Sequence, residues 1–79
     1  MMTANEIMER IQRAIPNAEV DVIDTMGDAQ HWRVLVTSAQ FDGLSLMEQH
    51  KLVMSSLQDE IGKRMHAVEI KTLLPDTLQ

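Results

Sequence analysis

The sequence predicts an α+β fold with elements in the order helix, strand, strand, helix, strand, in one domain spanning residues 1–79. Two capping boxes each precede apolar residues at helical spacing, and three other stretches alternate apolar with polar residues. A strand, helix, strand unit normally makes a right-handed crossover that sets its two strands parallel. We therefore expect a three-stranded mixed sheet with both helices covering one face.

The first helix is predicted from about Ala4 to Ala14. Thr3 and Glu6 have the spacing of a capping box, in which each side chain accepts a backbone N–H of the other residue. The apolar residues that follow recur on one face of this helix: Ile7, Met8, Ile11 and Ile15. Pro16 and Asn17 then end the helix. Because its apolar residues form a single stripe, this helix should cover a core with one face.

A β-hairpin is predicted next. The apolar residues of its first strand alternate with Glu19 and Asp21 and are Ala18, Val20 and Val22. Residues 25–30 have the composition of a turn, with Gly27 and Asp28 at its centre. The apolar residues of the second strand are Trp32, Val34 and Val36. The period of two in both stretches is typical of half-buried strands.

The longest helix is predicted from Leu46 to Ile61, after a connector that holds Phe41. Ser45 and Glu48 form its capping box, and Gly62 is well placed to end it. Its core stripe is predicted to contain Leu46, Val53, Leu57 and Ile61, with His50 on the same stripe. Val68 and Ile70 then alternate with charged residues in the last strand, which Pro75 closes.

Composition limits the function. The chain has no cysteine, so disulfides, zinc–thiolate sites and thiol nucleophiles from this chain are excluded, and any thiolate must come from a partner. The net charge of −5 argues against non-specific attachment to nucleic acid. No apolar run approaches the roughly 20 residues of a membrane span, and we expect a cytoplasmic protein. No carboxylate pair, activated nucleophile or phosphate-binding glycine loop indicates an enzyme.

Three stretches together resemble the BolA family: GDAQHWRV at 27–34, FDGLSLMEQH at 41–50 and MHAVEIKT at 65–72. Their order and spacing agree with the predicted elements. The resemblance implies a variant of the type II KH topology, no catalytic activity, and partnership with monothiol glutaredoxins. It also implies a role in the assembly or transfer of iron–sulfur clusters, or in iron regulation.

The same resemblance implies candidate ligands for a [2Fe–2S] cluster shared with a glutaredoxin cysteine and glutathione. The most regular ligand on the BolA side is the histidine before the last strand, here His66. A second ligand usually lies in the loop between the first two strands, which here is short, as in a bacterial branch of the family. Asp28 lies nearest the usual cysteine position, and His31 is the imidazole close by. His31 is therefore a candidate ligand, with Asp28 either a weaker oxygen donor or no ligand.

Each histidine also has a purely structural interpretation. His66 could be an ordinary residue at a strand entrance, and His31 a hairpin residue beside Trp32. For His50, a hydrogen-bonded and half-buried structural role is favoured over a ligand role. If His31 and His66 approach each other on one exposed edge, both stay candidates. Gln49 is a departure, because the family commonly has arginine there.

The alternative function is a KH-like transcriptional regulator that binds DNA or another nucleic acid. Lys63, Arg64 and Lys71 are its candidate contacts, although a solvated charged surface is the favoured interpretation of these residues. KH domains hold the nucleic-acid backbone with a Gly-x-x-Gly loop, and the glycines of this chain are isolated. Such binding would weaken as salt rises. We expect the free protein to be a monomer or a weak homodimer.

Overall fold

The computed structural model describes residues 2–76, and its elements follow the predicted order. Their bounds are α1 Ala4–Ala14, β1 Glu19–Asp24, β2 His31–Thr37, a 3₁₀ turn Ala39–Phe41, α2 Leu46–Leu57 and β3 Ala67–Leu73. Both predicted capping boxes are present, at Thr3 with Glu6 and at Ser45 with Glu48. The two helices therefore begin where the sequence predicts.

The three strands form one mixed sheet in the order β1-β2-β3. β1 pairs antiparallel with β2, where Val22 lies opposite Val34. β3 pairs parallel with β2, where Ile70 lies opposite Val34. The predicted parallel return through α2 is confirmed. Because β2 and β3 run in the same direction, both begin at the same end of the sheet, with His31 opposite Ala67.

The core lies between the two helices and one face of the sheet. Its fully buried side chains include Ile7, Ile11, Ile15, Val34, Val36, Phe41, Val53, Leu57 and Met65. The alternate residues of the strands point away from the helices, and most of them are exposed. We call this side the open face; it carries Glu19, Asp21, Ile23, His31, Arg33, Leu35, Thr37, Ala67, Glu69, Lys71 and Leu73. Both helices thus cover one face, as predicted.

The prediction that the long helix reaches Ile61 is wrong, because α2 ends at Leu57. The hydroxyl of Ser56 donates to the carbonyl of Val53 at 2.6 Å, and such a bond competes with regular helix hydrogen bonding. Beyond the helix, the carbonyl of Glu60 accepts the backbone N–H groups of residues 63, 64 and 65. The chain therefore folds into a tight 58–66 loop, with Gly62 at φ +86° inside it.

The predicted core position of Leu46 is also wrong, because this residue is 64% exposed. Gln49 takes the inward position in the first turns of α2. Its amide nitrogen donates to the carbonyl of Leu44 at 3.0 Å, and its oxygen accepts the hydroxyl of Thr72 at 2.5 Å. The residue that departs from the family pattern therefore links the start of α2 to β3.

Candidate functional site

The candidate site lies where β2 and β3 begin, and it consists of Asp28, His31 and His66, which we call the histidine corner. The carbonyl of Gln30 accepts the backbone N–H of His66 at 2.8 Å and that of Ala67 at 3.0 Å. The start of β3 is thereby attached to the residue before His31. This backbone link fixes the two histidines relative to each other.

The two imidazole rings are in contact. Their centroids lie 5.0 Å apart, and the ring planes are tilted by 55°. The His31 side chain is 40% exposed, and His66 is exposed as well. The structure therefore brings together on one exposed edge the two residues that the sequence proposed separately as ligands.

Asp28 uses both carboxylate oxygens within the hairpin loop. Its Oδ1 accepts the backbone N–H of Gln30 at 2.9 Å and that of His31 at 3.2 Å. Its Oδ2 lies 2.9 Å from Nδ1 of His31. The Gln30 N–H is the main reason that the pKa of Asp28 lies below its ordinary value of 3.8, and the contacts with His31 lower it further. Asp28 is therefore ionised at neutral pH and bonded to the loop and to His31.

The hairpin loop holds Asp28 through an unusual backbone conformation. Ala29 has φ +57°, a left-handed conformation that residues other than glycine rarely adopt. Its N–H donates to Oδ2 of Asp24 at 2.9 Å, and its carbonyl accepts the indole N–H of Trp32 at 3.2 Å. Bonds on both sides of Ala29 thus stabilise the loop that carries Asp28 to His31.

The spacing of the imidazoles fits two ligands on one metal ion. A metal–imidazole bond of about 2.1 Å puts each ring centroid about 3.2 Å from the metal, so two such rings have centroids about 5 Å apart. The observed separation is 5.0 Å. Within residues 2–76 no group of three or more His, Cys, Asp or Glu side chains could hold a metal ion. Among these residues the histidine corner therefore presents two imidazoles in contact, and not a complete coordination sphere.

The candidate nucleic-acid contacts lie in different surroundings. Arg64 donates to Glu60 and, at 3.0 Å, to Oε2 of Glu6, so its charge is already paired with two carboxylates of this chain. Lys63 is exposed in the 58–66 loop. Lys71 is exposed on the open face, four residues along β3 from Ala67, a distance of about 13 Å at the usual rise per residue. Nucleic-acid binding by these three residues stays a prediction.

His50 lies on the other side of the sheet from the histidine corner. It is half-buried and lines a groove between α2 and β3 together with Met47, Lys51, Met54, Val68 and Ile70. Val68 and Ile70 alternate with the open-face residues of β3, whereas His31 belongs to the open face. His50 is therefore separated from the two contacting imidazoles and serves as a control histidine.

No helix within residues 2–76 is long and apolar enough to cross a membrane.

Residues 8–77 match a family model described as BolA-like protein. The chain is 39% identical to human BolA-like protein 2 over 77 residues, which cover 95% of this chain and 88% of that protein. It is 35% identical to the acid stress protein IbaG of Escherichia coli (strain K12) over 75 residues, covering 94% and 86%. The solved structure of BolA1 from Arabidopsis thaliana superposes with a TM-score of 0.81 at 26% identity and covers 95% of each chain.

Proposed function

Because the chain belongs to the BolA-like protein family, we propose that it is a non-enzymatic adaptor that binds a monothiol glutaredoxin and shares a [2Fe–2S] cluster with it. Its role would be the assembly or transfer of such clusters, or iron regulation. The observation that supports this most directly is the contact of His31 with His66, with centroids 5.0 Å apart on an exposed edge.

His66 and His31 would hold one iron of the cluster through imidazole nitrogens. Iron in a [2Fe–2S] cluster accepts two histidines in place of two cysteines, as Rieske centres show. This chain has no cysteine, so the thiolates of the other iron would come from glutaredoxin and glutathione. A cluster with such ligands supplies one-electron chemistry at a potential of about −150 to +300 mV, against about −400 mV for plant-type ferredoxins.

The exposure of the two rings suits a ligand pair that is completed by a partner. His66 is exposed, and the His31 side chain is 40% exposed, so a docked protein could cover both rings. The backbone bonds from the carbonyl of Gln30 hold together the two segments that carry the rings before docking. Binding would then require little rearrangement of this chain, which reduces the entropic cost of forming the shared site.

The test is anaerobic mixing of the protein with cluster-loaded monothiol glutaredoxin and glutathione. We expect changed visible absorption and circular dichroism, and co-elution with iron and sulfide in gel filtration. His66→Ala should retain at least tenfold less cluster in the complex, because an iron ligand is lost. His50→Ala is the matched control and should behave as wild type. His66 is exposed, so its replacement should shift Tm by less than about 4 °C.

Two results would contradict the proposal. One is a wild-type mixture whose spectra equal the sum of the separate proteins. The other is a His66→Ala complex with the same spectrum and iron content as wild type. His31→Ala tests the ligand pair separately: a spectrum that differs from wild type supports coordination by both histidines, and an unchanged spectrum leaves His66 as the ligand from this chain.

A further inference from the structure

We infer that Asp28 is the positioning residue of the histidine corner: it keeps the proton of neutral His31 on Nδ1 and so leaves Nε2 as the iron-binding atom. The identity of the bound metal rests on the proposed function. The position of the proton is a property of the free protein and can be measured without any cluster.

The orientation of the Asp28 carboxylate is fixed by the backbone. Its Oδ1 accepts two N–H groups, from Gln30 at 2.9 Å and from His31 at 3.2 Å. With Oδ1 held in this way, Oδ2 remains directed at the imidazole, 2.9 Å from Nδ1 of His31. Rotation of the carboxylate away from His31 would break the bonds at Oδ1. Asp28 therefore presents a hydrogen-bond acceptor to one particular nitrogen of the ring.

An ionised carboxylate can only accept hydrogen bonds, so the hydrogen of the Asp28–His31 contact lies on Nδ1. A neutral imidazole carries one N–H, and Nε2 of His31 then has the free lone pair that a metal requires. Carboxylates that accept the second N–H of a metal-binding histidine set its tautomer and its orientation in this way. Asp28 therefore acts on the metal through His31. This positioning role differs from both roles that the sequence left open for Asp28, which were a weak oxygen ligand or no ligand.

His66 lacks a similar partner. Among residues 2–76 its ring contacts His31 but has no side-chain hydrogen bond, whereas His31 has the carboxylate of Asp28. The proton of neutral His66 is therefore free to occupy either nitrogen. A single Nδ1–H tautomer is therefore expected of His31, where Asp28 selects it, and not of His66, and this difference separates positioning by Asp28 from a general property of exposed histidines.

Asp28→Asn is the sharpest variant because it keeps the shape of the side chain and changes one hydrogen bond. The two backbone N–H groups at Oδ1 require an oxygen, so the amide oxygen should stay there and retain the turn. The amide NH₂ then faces His31 and donates to Nδ1, which moves the ring proton to Nε2. Asp21→Asn, an exposed position on β1, makes the same charge change away from the corner.

Two measurements test the inference. In long-range ¹H–¹⁵N spectra of the free protein at about pH 8.5, wild type and Asp21→Asn should show His31 protonated on Nδ1. Asp28→Asn should show it protonated on Nε2, with His31→Ala providing the assignment. Cluster retention with glutaredoxin and glutathione should then fall at least tenfold for Asp28→Asn and stay unchanged for Asp21→Asn.

Wild-type His31 protonated on Nε2, or on both nitrogens equally, would overturn the inference. So would a reversed tautomer in Asp28→Asn together with full cluster retention, because the ligand atom would then not be Nε2. If the tautomers are as stated but wild type also takes up no cluster, positioning of His31 is supported and the proposed function is lost. Amide spectra of each variant confirm that the hairpin is folded.

Discussion

Two corners of this molecule use polar side chains in opposite ways, although they lie at the two ends of one short loop. The ionic corner joins α1 to the 58–66 loop and consists of Glu6, Arg10, Asp59, Glu60 and Arg64. The histidine corner lies at the other end of that loop. Arg64 and His66 are two residues apart in the chain, yet each belongs to a different corner.

In the ionic corner, charged groups are paired with one another. Arg10 lies 2.6 Å from Oδ1 of Asp59 and 3.2 Å from Oε2 of Glu60, and Arg64 contacts the same Oε2. The Glu60 side chain is only 11% exposed. These contacts lower the pKa of Glu60, with the hydrogen bond from Arg64 as the largest cause. The corner is thus a structural link between α1 and the 58–66 loop.

In the histidine corner, side-chain nitrogens remain available at the surface. Among the described residues, the Asp28–His31 contact is the one side-chain hydrogen bond between members of this corner, and it leaves Nε2 of His31 and the His66 ring without a hydrogen-bond partner there. The difference teaches that a dense group of charges is a poor guide to a ligand site in this chain. Nitrogens without an internal partner, held at a fixed spacing, are the better guide.

The largest effect on stability should come from Glu60→Gln in the ionic corner. The variant keeps the shape of the side chain but leaves Arg10 and Arg64 close together without the charge between them. We expect Tm to fall by roughly 5 to 10 °C in thermal unfolding followed by circular dichroism. Cluster retention with glutaredoxin should not change. A loss of cluster with unchanged Tm would show that the two corners do not have separate roles.

Glu69→Gln is the matched control for that prediction. Glu69 pairs with Arg33 at 3.3 Å on the open face, and its side chain is 66% exposed. Surface ion pairs of this kind contribute about 0 to 1 kcal/mol. The Tm of Glu69→Gln should therefore stay within about 3 °C of wild type. Equal losses in the two variants would mean that burial of Glu60 is not what makes its ion pairs stabilising.

A smaller effect is expected from acid. The pKa of Glu60 and that of Glu6 are both lowered from the ordinary value of 4.5, chiefly by the Arg64 and Thr3 hydrogen bonds respectively, and that of Asp59 is lowered from 3.8 by Arg10. A lowered pKa in the folded state means that the stabilisation is complete above pH 4.5 and is lost as the pH falls through the folded-state value.

Urea unfolding at a series of pH values from 7 to 3 measures this contribution. The unfolding free energy of wild type should be flat near neutral pH and decrease below about pH 4.5. Glu60→Gln should show a shallower decrease, because one of the three carboxylates no longer titrates. Parallel curves for the two proteins would contradict the role given to Glu60, since its protonation would then cost no stability.

The elements of the fold could be predicted from the sequence because their signals are local. The capping boxes at Thr3 and Ser45 define helix starts within four residues, and strand alternation is visible within six or seven. The end of α2 could not be predicted in the same way, since the hydrogen bond of Ser56 to the preceding turn and the turns around Glu60 have no such pattern. Gly62 indicated a stop four residues too late.

The ionic corner could not be predicted because its partners are far apart in the chain. Arg10 and Glu60 are separated by 50 positions, and arginine and glutamate are common on any helix. The histidine corner could be predicted in part. The resemblance to a family implied His66, and it implied His31 as a candidate because the family's second ligand usually lies in the loop beside this residue. The role of Asp28 depends on which oxygen faces which donor, and that geometry has no counterpart in the residue order.

The smallest effect should come from Ala29→Gly in the hairpin loop. Glycine adopts the φ of +57° without the strain of about 1 kcal/mol that a Cβ causes, but it also adds about 0.5 to 1 kcal/mol of unfolded-state freedom. The unfolding free energy in urea should therefore differ from wild type by less than about 1 kcal/mol. Gly27→Ala is the matched control, because it places a Cβ at φ +69° and should destabilise by about 1 kcal/mol.

The Ala29→Gly variant also sharpens the contrast between the corners, because it loosens one of them without removing any polar atom. The bonds to Asp24 and Trp32 use the peptide groups of residue 29 and remain possible with glycine. If cluster binding requires fixed positions of Asp28 and His31, cluster retention should fall two- to threefold in this variant. Its Tm should stay within about 4 °C of wild type, because the ionic corner is unchanged. Retention equal to wild type would show that the hydrogen bonds alone, without the restricted backbone, suffice to hold the histidine corner.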